Sequence, residues 1–332
     1  GLTTINRGFI MRKILLASTA IASTFAVASA QAEVSISGGV TMQYYSINDD
    51  VTSRTSDQTM SMTDNTVSIS FSSVTDSGLA LSYSTTIDMS DTKNASISGD
   101  FGSIAMSNTG HAAEAFDVTS GGVRGGHGDL QTNKLDDSGA AITGVRFNEA
   151  SIAADITTQA INYYSPSING FTFGVGISEI EAAAQETSMG AMYSASMGDI
   201  SYSIGYAAVD GDAVGEEGSH IGLNVTMGDI SLGLGMSDNQ ASASAKEETT
   251  SYSVTYAMSD ALTLNAGHVS SSDDTASTTL DATNTTIAAA YTIADGLVAS
   301  LASHSFDYKE AGAANNDGSV MQFMINMPDR KS

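Results

Sequence analysis

The side chains best equipped for chemistry in this chain are carboxylates gathered in one stretch. Between Asn108 and Thr157 lie Glu114, Asp117, Asp129, Asp136, Asp137, Glu149 and Asp155, against only Arg124, Lys134 and Arg146. Acids at that density favour a passing cation, hold a divalent ion such as Ca2+, or simply keep a loop solvated. The stretch is rich in Gly, Ala, Asp and Thr and has no sustained period, and a compact domain rarely carries so long a structureless connection unless it is functional. Glu114, Asp117, Asp129, Asp136 and Asp137, with Arg124 and Arg146, are therefore the candidate site residues. They are read as lining the narrowest part of a passage.

Other chemistry finds little support. Cysteine is absent, which removes disulfides, thiolate metal sites and cysteine nucleophiles. His111, His127, His220, His268 and His304 show no HExxH or other close ligand spacing, so no zinc site is expected. Gly125-Gly126-His127-Gly128-Asp129 has half the pattern of a calcium-binding nonapeptide, but its Asp is one position early and the unit occurs once; it reads as a turn. Gly233 and Gly235 sit in an alternating strand rather than a dinucleotide loop, and no GxSxG elbow occurs. The expectation is a non-enzyme with no cofactor, apart from the Ca2+ alternative in the loop.

Charge narrows the partners. Three of the 12 Lys/Arg precede Glu33, leaving nine against 37 Asp/Glu, and so acidic a chain repels nucleic acid. Charged residues make up only 15% of the sequence, with Ser, Thr, Gly and Ala abundant and Pro occurring twice. Shortage of long helix formers argues for β structure.

From the N-terminus, residues 1–10 precede a plausible start methionine and are read as an upstream extension. Residues 11–32 carry the parts of a secretory signal: basic Arg12 and Lys13, an apolar run from Ile14 to Ala28, and the small-residue end Ala30-Gln31-Ala32. The run is too short and too broken for a spanning helix.

From Glu33 onward the pattern is alternation. Val34, Ile36, Val40, Met42 and Tyr44 share one face, and Ser35, Ser37, Thr41, Gln43 and Tyr45 the other. Seven hairpins follow, among them one across Thr75-Asp76-Ser77-Gly78 and two across the repeated turns Met197-Gly198-Asp199 and Met227-Gly228-Asp229. A last strand runs from Val320 to Met327. The total is sixteen, an even number that lets the first strand pair with the last and abolishes free edges. Strands of about ten residues, tilted near 45°, span the apolar band of an outer membrane. The expected fold is all-β, a 16-stranded antiparallel transmembrane barrel over residues 33–327 with a tail at 328–332. Tyr44, Tyr83, Tyr163, Tyr202, Tyr206, Tyr252, Tyr256 and Tyr291 fall on the apolar face, as an interfacial girdle or as plain β-propensity. A soluble sandwich alternates too, but the polar face here is nearly uncharged and short and long connections alternate.

Pieces of the sequence resemble a known family. INYYSPSINGFTFGVGIS at Ile161–Ser178 resembles a strand, turn and strand of Gram-negative general porins. SFSSVTDSGLALSYS at Ser70–Ser84, ISGDFGSIAMSN at Ile97–Asn108 and EAF at Glu114–Phe116 resemble alphaproteobacterial porins of the Rhodobacter type. The resemblance implies a trimeric barrel in outer-membrane lipid, passing small hydrophilic solutes and ions, with the third external loop (108–157) folded inward as a constriction. Two departures stand out. The family places Arg or Lys on the wall facing that loop, whereas here Arg54, Lys93, Lys246 and Lys309 are read as loop residues, so a preference for cations is expected. The family also closes on an aromatic residue, whereas here Met327 is followed by Pro328. The leading expectation is a passive diffusion porin; the alternatives are a non-channel barrel serving as a structural protein or adhesin, and a barrel phospholipase.

Overall fold

Alternating side chains leave each strand's backbone N–H and C=O groups pointing sideways, and in this chain every strand finds a neighbour on both sides. The computed structural model describes residues 33–49, 58–87, 93–107, 110–118, 150–152, 160–178, 185–211, 217–242, 245–275, 279–310 and 316–327. The expected signal segment, the residues before it and the tail lie outside these, as do Arg54, Arg124, Asp129, Lys134, Asp136, Asp137, Arg146, Glu149 and Asp155.

Among the described residues sixteen strands occur. They are β1 (Glu33–Asp49), β2 (Gln58–Val74), β3 (Ala80–Thr86), β4 (Lys93–Gly99), β5 (Gly102–Ser107), β6 (Ala160–Tyr164), β7 (Phe171–Ser178) and β8 (Glu186–Met197). The second half comprises β9 (Ile200–Gly211), β10 (Glu217–Met227), β11 (Ile230–Ser242), β12 (Ala245–Ala257), β13 (Leu262–Thr275), β14 (Thr279–Ala294), β15 (Leu297–Glu310) and β16 (Asn316–Met327). All pairings are antiparallel and consecutive, and β1 meets β16 from Val40↔Met327 to Asp49↔Gly318, so the sheet closes. Closure is what permits a sheet to sit in hydrocarbon, where an unpaired backbone group costs several kcal/mol.

The short turns follow from their residues. Met197 pairs with Ile200 and Met227 with Ile230, leaving Gly-Asp as the two-residue loop. Gly198 and Gly228 have φ of 61° and 56°, the left-handed values that a twisted hairpin requires at its first loop position and that glycine adopts without steric cost.

The barrel is turned inside out relative to a soluble domain. Ile204, Ile221, Leu234, Val254, Ile287, Leu301 and Phe323 point outward and are exposed, while Thr41, Gln43, Asn265, Thr286 and Gln322 point inward and are buried. The tyrosines of the apolar face lie on the exterior as expected; Tyr44, Tyr206, Tyr252 and Tyr291 are exposed there.

One expectation is corrected. Lys93, Lys246 and Lys309 belong to β4, β12 and β15 and not to loops. β12 and β15 run on past the apolar band, where both faces are polar and alternation no longer marks the strand, and Lys93 is the first residue of β4. The alternation places all three on the outer face. Lys246 there bonds Glu248 at 2.7 Å and Asp238 at 3.0 Å, and Lys309 lies 3.1 Å from Asp307. None is aimed at the lumen.

Candidate functional site

The long connection between β5 and β6 contributes its described residues to the inside of the barrel. Residues 110–118 and 150–152 form a belt that follows the inner wall from β6 to β12. Its first support is at β6, where the Asn162 side-chain amide donates to the Gly110 carbonyl at 3.1 Å. Next, the Ala112 backbone N–H donates to the Ser188 hydroxyl of β8 at 3.1 Å. A single 3-10 turn, Ala112–Phe116, then presents Ala112, Ala113 and Phe116 to the wall, all buried, while Glu114 and Ala115 face away.

Glycine makes the seat. Gly174 of β7 pairs with Gly190 of β8, and Gly222 of β10 pairs with Gly205 of β9 on one side and Gly235 of β11 on the other. All five glycines face inward, leaving a groove without side chains across five strands. Phe116 fills it: a Cβ at Gly174 or Gly190 would collide with its ring, one at Gly205 with its carbonyl oxygen, and one at Gly222 with the carbonyl of Val118. Ring contact with Tyr164, centroids 6.3 Å apart, closes the near end. Burying such an aromatic side chain contributes about 1.5–3 kcal/mol, which helps hold the described turn against the wall.

Asp117 joins the two limbs. One carboxylate oxygen lies 2.7 Å from Nδ1 of His220, an inward residue of β10 that is fully buried; the other accepts the Ile152 backbone N–H at 3.1 Å. The two atoms approach closely without the alignment of a hydrogen bond. The return limb is held further by the Ala150 N–H donating to the Ser251 hydroxyl at 2.9 Å and the Asn239 amide donating to the Ser151 carbonyl at 3.1 Å.

The candidate acids thus separate. The Glu114 side chain is 53% exposed and faces the lumen, whereas that of Asp117 is 12% exposed and engaged. Burial, then the Asp117 carboxylate nearby, push the Glu114 carboxyl above its ordinary range, opposed by the His111 backbone N–H. His111, buried beneath the turn, is lowered to about 4 by its burial, with Asp117 opposing, and is neutral at pH 7. Asp129, Asp136, Asp137, Arg124 and Arg146 fall outside the described residues. Among the described residues no group of three or more His, Asp or Glu is placed to hold a metal ion. Sequence reasoning missed His220 and the glycine groove, although inward glycines on five successive strands were a usable signal.

The facing sector is built differently. There a hydrogen-bonded ladder crosses the closing seam: Thr286 Oγ1 to His304 Nδ1 at 2.9 Å, His304 Nε2 to Gln322 Oε1 at 3.1 Å, and Gln322 Nε2 to the Tyr45 hydroxyl at 3.0 Å. Tyr45 passes the chain on to Gln43. Further along the same strands lies a buried apolar cluster of Tyr45, Ile47, Leu280, Ala282, Phe306 and Val320. Toward the short turns the lumen is lined by hydroxyls, including Ser72, Ser82, Ser96 and Ser98 around a recess of about 420 Å³, a surface suited to water.

Comparison with known proteins agrees with this geometry. Among solved structures, a porin refined at 1.8 Å is 20% identical, with a TM-score of 0.59 over 88% of this chain and 100% of the other. OmpT of Vibrio cholerae is 13% identical, TM-score 0.63, over 89% and 97%. An anion-selective porin from Comamonas acidovorans is 14% identical, TM-score 0.59, over 89% and 99%. A search of curated proteins finds no match. These likenesses establish the fold; the family rests on the Gram-negative porin model, which matches residues 17–311. The chain belongs to the Gram-negative porin family, the diffusion channels of the bacterial outer membrane.

Proposed function

We propose that this porin prefers cations, that the segment from Asn108 to Thr157 sets the width and charge of its eyelet, and that it works as a homotrimer. The protein is a passive channel and not an enzyme, so selection comes from size and field alone. The observation that carries the cation preference is Glu114, held toward the lumen on a wall-anchored turn, with Lys93, Lys246 and Lys309 all turned outward. A carboxylate about 4 Å from a passing ion contributes roughly 1 kcal/mol in water and more in a confined site. Several such acids favour cations several-fold, less so in high salt.

The trimer reading draws on the exterior of β3–β6, where Leu81, Tyr83, Ile104, Met106 and Ile161 are exposed on neighbouring strands, and on the trimer form of Vibrio cholerae OmpT. Small hydrophilic solutes and cations are the cargo, and outer-membrane lipid surrounds the remaining wall. Planar-bilayer recording tests all three parts. The expected result is conductance in steps of three, a cation-selective reversal potential reduced by Glu114→Gln, and a larger conductance when the chain between Val118 and Ala150 is shortened. Anion selectivity in the parent, or a reversal potential indifferent to Glu114→Gln, overturns the charge assignment.

A further inference from the structure

We infer that Asp117 and His220 form a clasp that fixes the constriction segment to the wall, making Asp117 a positioning residue and leaving Glu114 as the selectivity charge among the described residues of that segment. The inference rests on reading 108–157 as the constriction, and goes beyond it by dividing labour between two acids three residues apart. Three observations carry it. Asp117 is the point at which three elements meet: its own limb, the return limb through the Ile152 N–H at 3.1 Å, and the wall through His220 at 2.7 Å. His220 is completely buried between the wall and the belt, its Nε2 close over Gly235, so its ring is inaccessible to solute. The 3-10 turn, finally, rotates Glu114 to the open side while Phe116 anchors in the glycine groove, which turns Asp117 toward the wall.

A positional role predicts mechanical effects rather than electrostatic ones. Removing either member loosens the junction of the two limbs, which keep their separate supports at Ser188, Asn239 and Ser251. Removing both does little more than removing one, because groups acting as a unit are not additive. Asp117→Asn retains an oxygen acceptor for the Ile152 N–H and changes only the group that faces His220, so it rescues in part.

The test uses the full-length assembled porin, with Asp117→Ala, Asp117→Asn, His220→Ala, the double alanine variant and Glu114→Gln compared in planar bilayers and by trypsin digestion. Arg124, Lys134 and Arg146 provide trypsin sites between Val118 and Ala150. Expected for Asp117→Ala and His220→Ala are noisier open channels and cleavage in this segment roughly tenfold faster, as local opening becomes easier. The double variant should match the singles, Asp117→Asn should fall between, and these four, unlike Glu114→Gln, should keep the parent's reversal potential. Heat-modifiable migration of each variant establishes that the barrel has folded. A quiet channel in which Asp117→Ala shifts the reversal potential as far as Glu114→Gln overturns the inference, and so do additive effects of the two alanines. If Glu114→Gln and shortening of the segment change nothing while cleavage still accelerates in Asp117→Ala, the constriction reading fails and the clasp stands.

Discussion

Two sectors of the inner wall meet the same demand in opposite ways. Both must cover a lumen-facing sheet surface and exclude water from the side chains buried there. Across β7–β11 the side chains are deleted to glycine, and the belt's own backbone and Phe116 supply the missing atoms. Across β14–β1 the side chains are kept, and Thr286, His304, Gln322 and Tyr45 satisfy one another in a line. The first arrangement is vulnerable to added atoms, the second to removed ones. The first also couples the wall to a separate segment, so damage there reaches the pore.

The largest test of this contrast adds a methyl group. Gly222→Ala places a Cβ into the Val118 carbonyl; the backbone there has no flexible side chain to move aside, and overpacking costs about 1–3 kcal/mol. The belt should lift into the lumen, and single-channel conductance should change about twofold or more while the barrel still migrates as a heat-modifiable species. An alanine at Gly222 with parent conductance would break the comparison. Of similar size is Phe116→Ala, which empties the groove and removes about 1.5–3 kcal/mol of seating; tryptic cleavage between Val118 and Ala150 should accelerate.

On the ladder side the effects should be smaller and confined to stability. His304→Leu leaves Thr286 and Gln322 each short of a partner, at about 1–3 kcal/mol, read as a lower midpoint of heat-modified migration with conductance unchanged. Tyr45→Phe deletes only the hydroxyl that Gln322 donates to and should cost about 1 kcal/mol.

Acid sharpens the contrast with no mutation. The Glu114 carboxyl lies above its ordinary range, so as pH falls its charge is lost before that of a normal Glu, and cation selectivity should weaken there first. His111 is held down at about 4 from an ordinary 6.5. The seated belt therefore binds fewer protons than the released one between those values, and seating weakens progressively as pH falls from about 6.5 toward 4. Trypsin is inactive at that pH, so cleavage by an acid protease, sampled across the window, checks it; a flat profile would contradict the burial of His111.

Much of the barrel was legible because lipid and water impose a period of two. Where β10, β11, β13 and β14 cross the apolar band, the run of Ile221 to Met227 or Leu262 to His268 declares its outward face. Above the band the signal fades: Asp281 and Thr283 on one side of β14 and Leu280 and Ala282 on the other invert the pattern, so β14 begins at Thr279 although alternation marks it only from Thr285. The same loss hid Lys246 and Lys309 within strands. For the candidate site, the density of acids drew attention to the segment whose described residues line the inner wall, and EAF at Glu114–Phe116 falls within its 3-10 turn. What sequence did not reveal was orientation. Asp117 reads like its neighbours as a loop carboxylate, and only the fold brings His220 and the Ile152 N–H to it.

The shortness of β3–β6 carries one more consequence, for the surrounding bilayer. Seven residues tilted near 45° rise about 16 Å and five rise about 12 Å, against an outer-membrane apolar band of about 25 Å. Over the described residues, a lone subunit would therefore present lipid with a lower arc at β3–β6 than at the strands opposite, and the acyl chains beside that arc would have to compress. Hydrophobic mismatch of this kind costs fractions of a kcal/mol per Å, and it is relieved when the low arc is shared with another subunit. For the proposed trimer, membrane thickness thus becomes an assembly variable: the longer the acyl chains, the more strongly subunits would be driven together, and short-chain lipids should be the ones that tolerate the monomer.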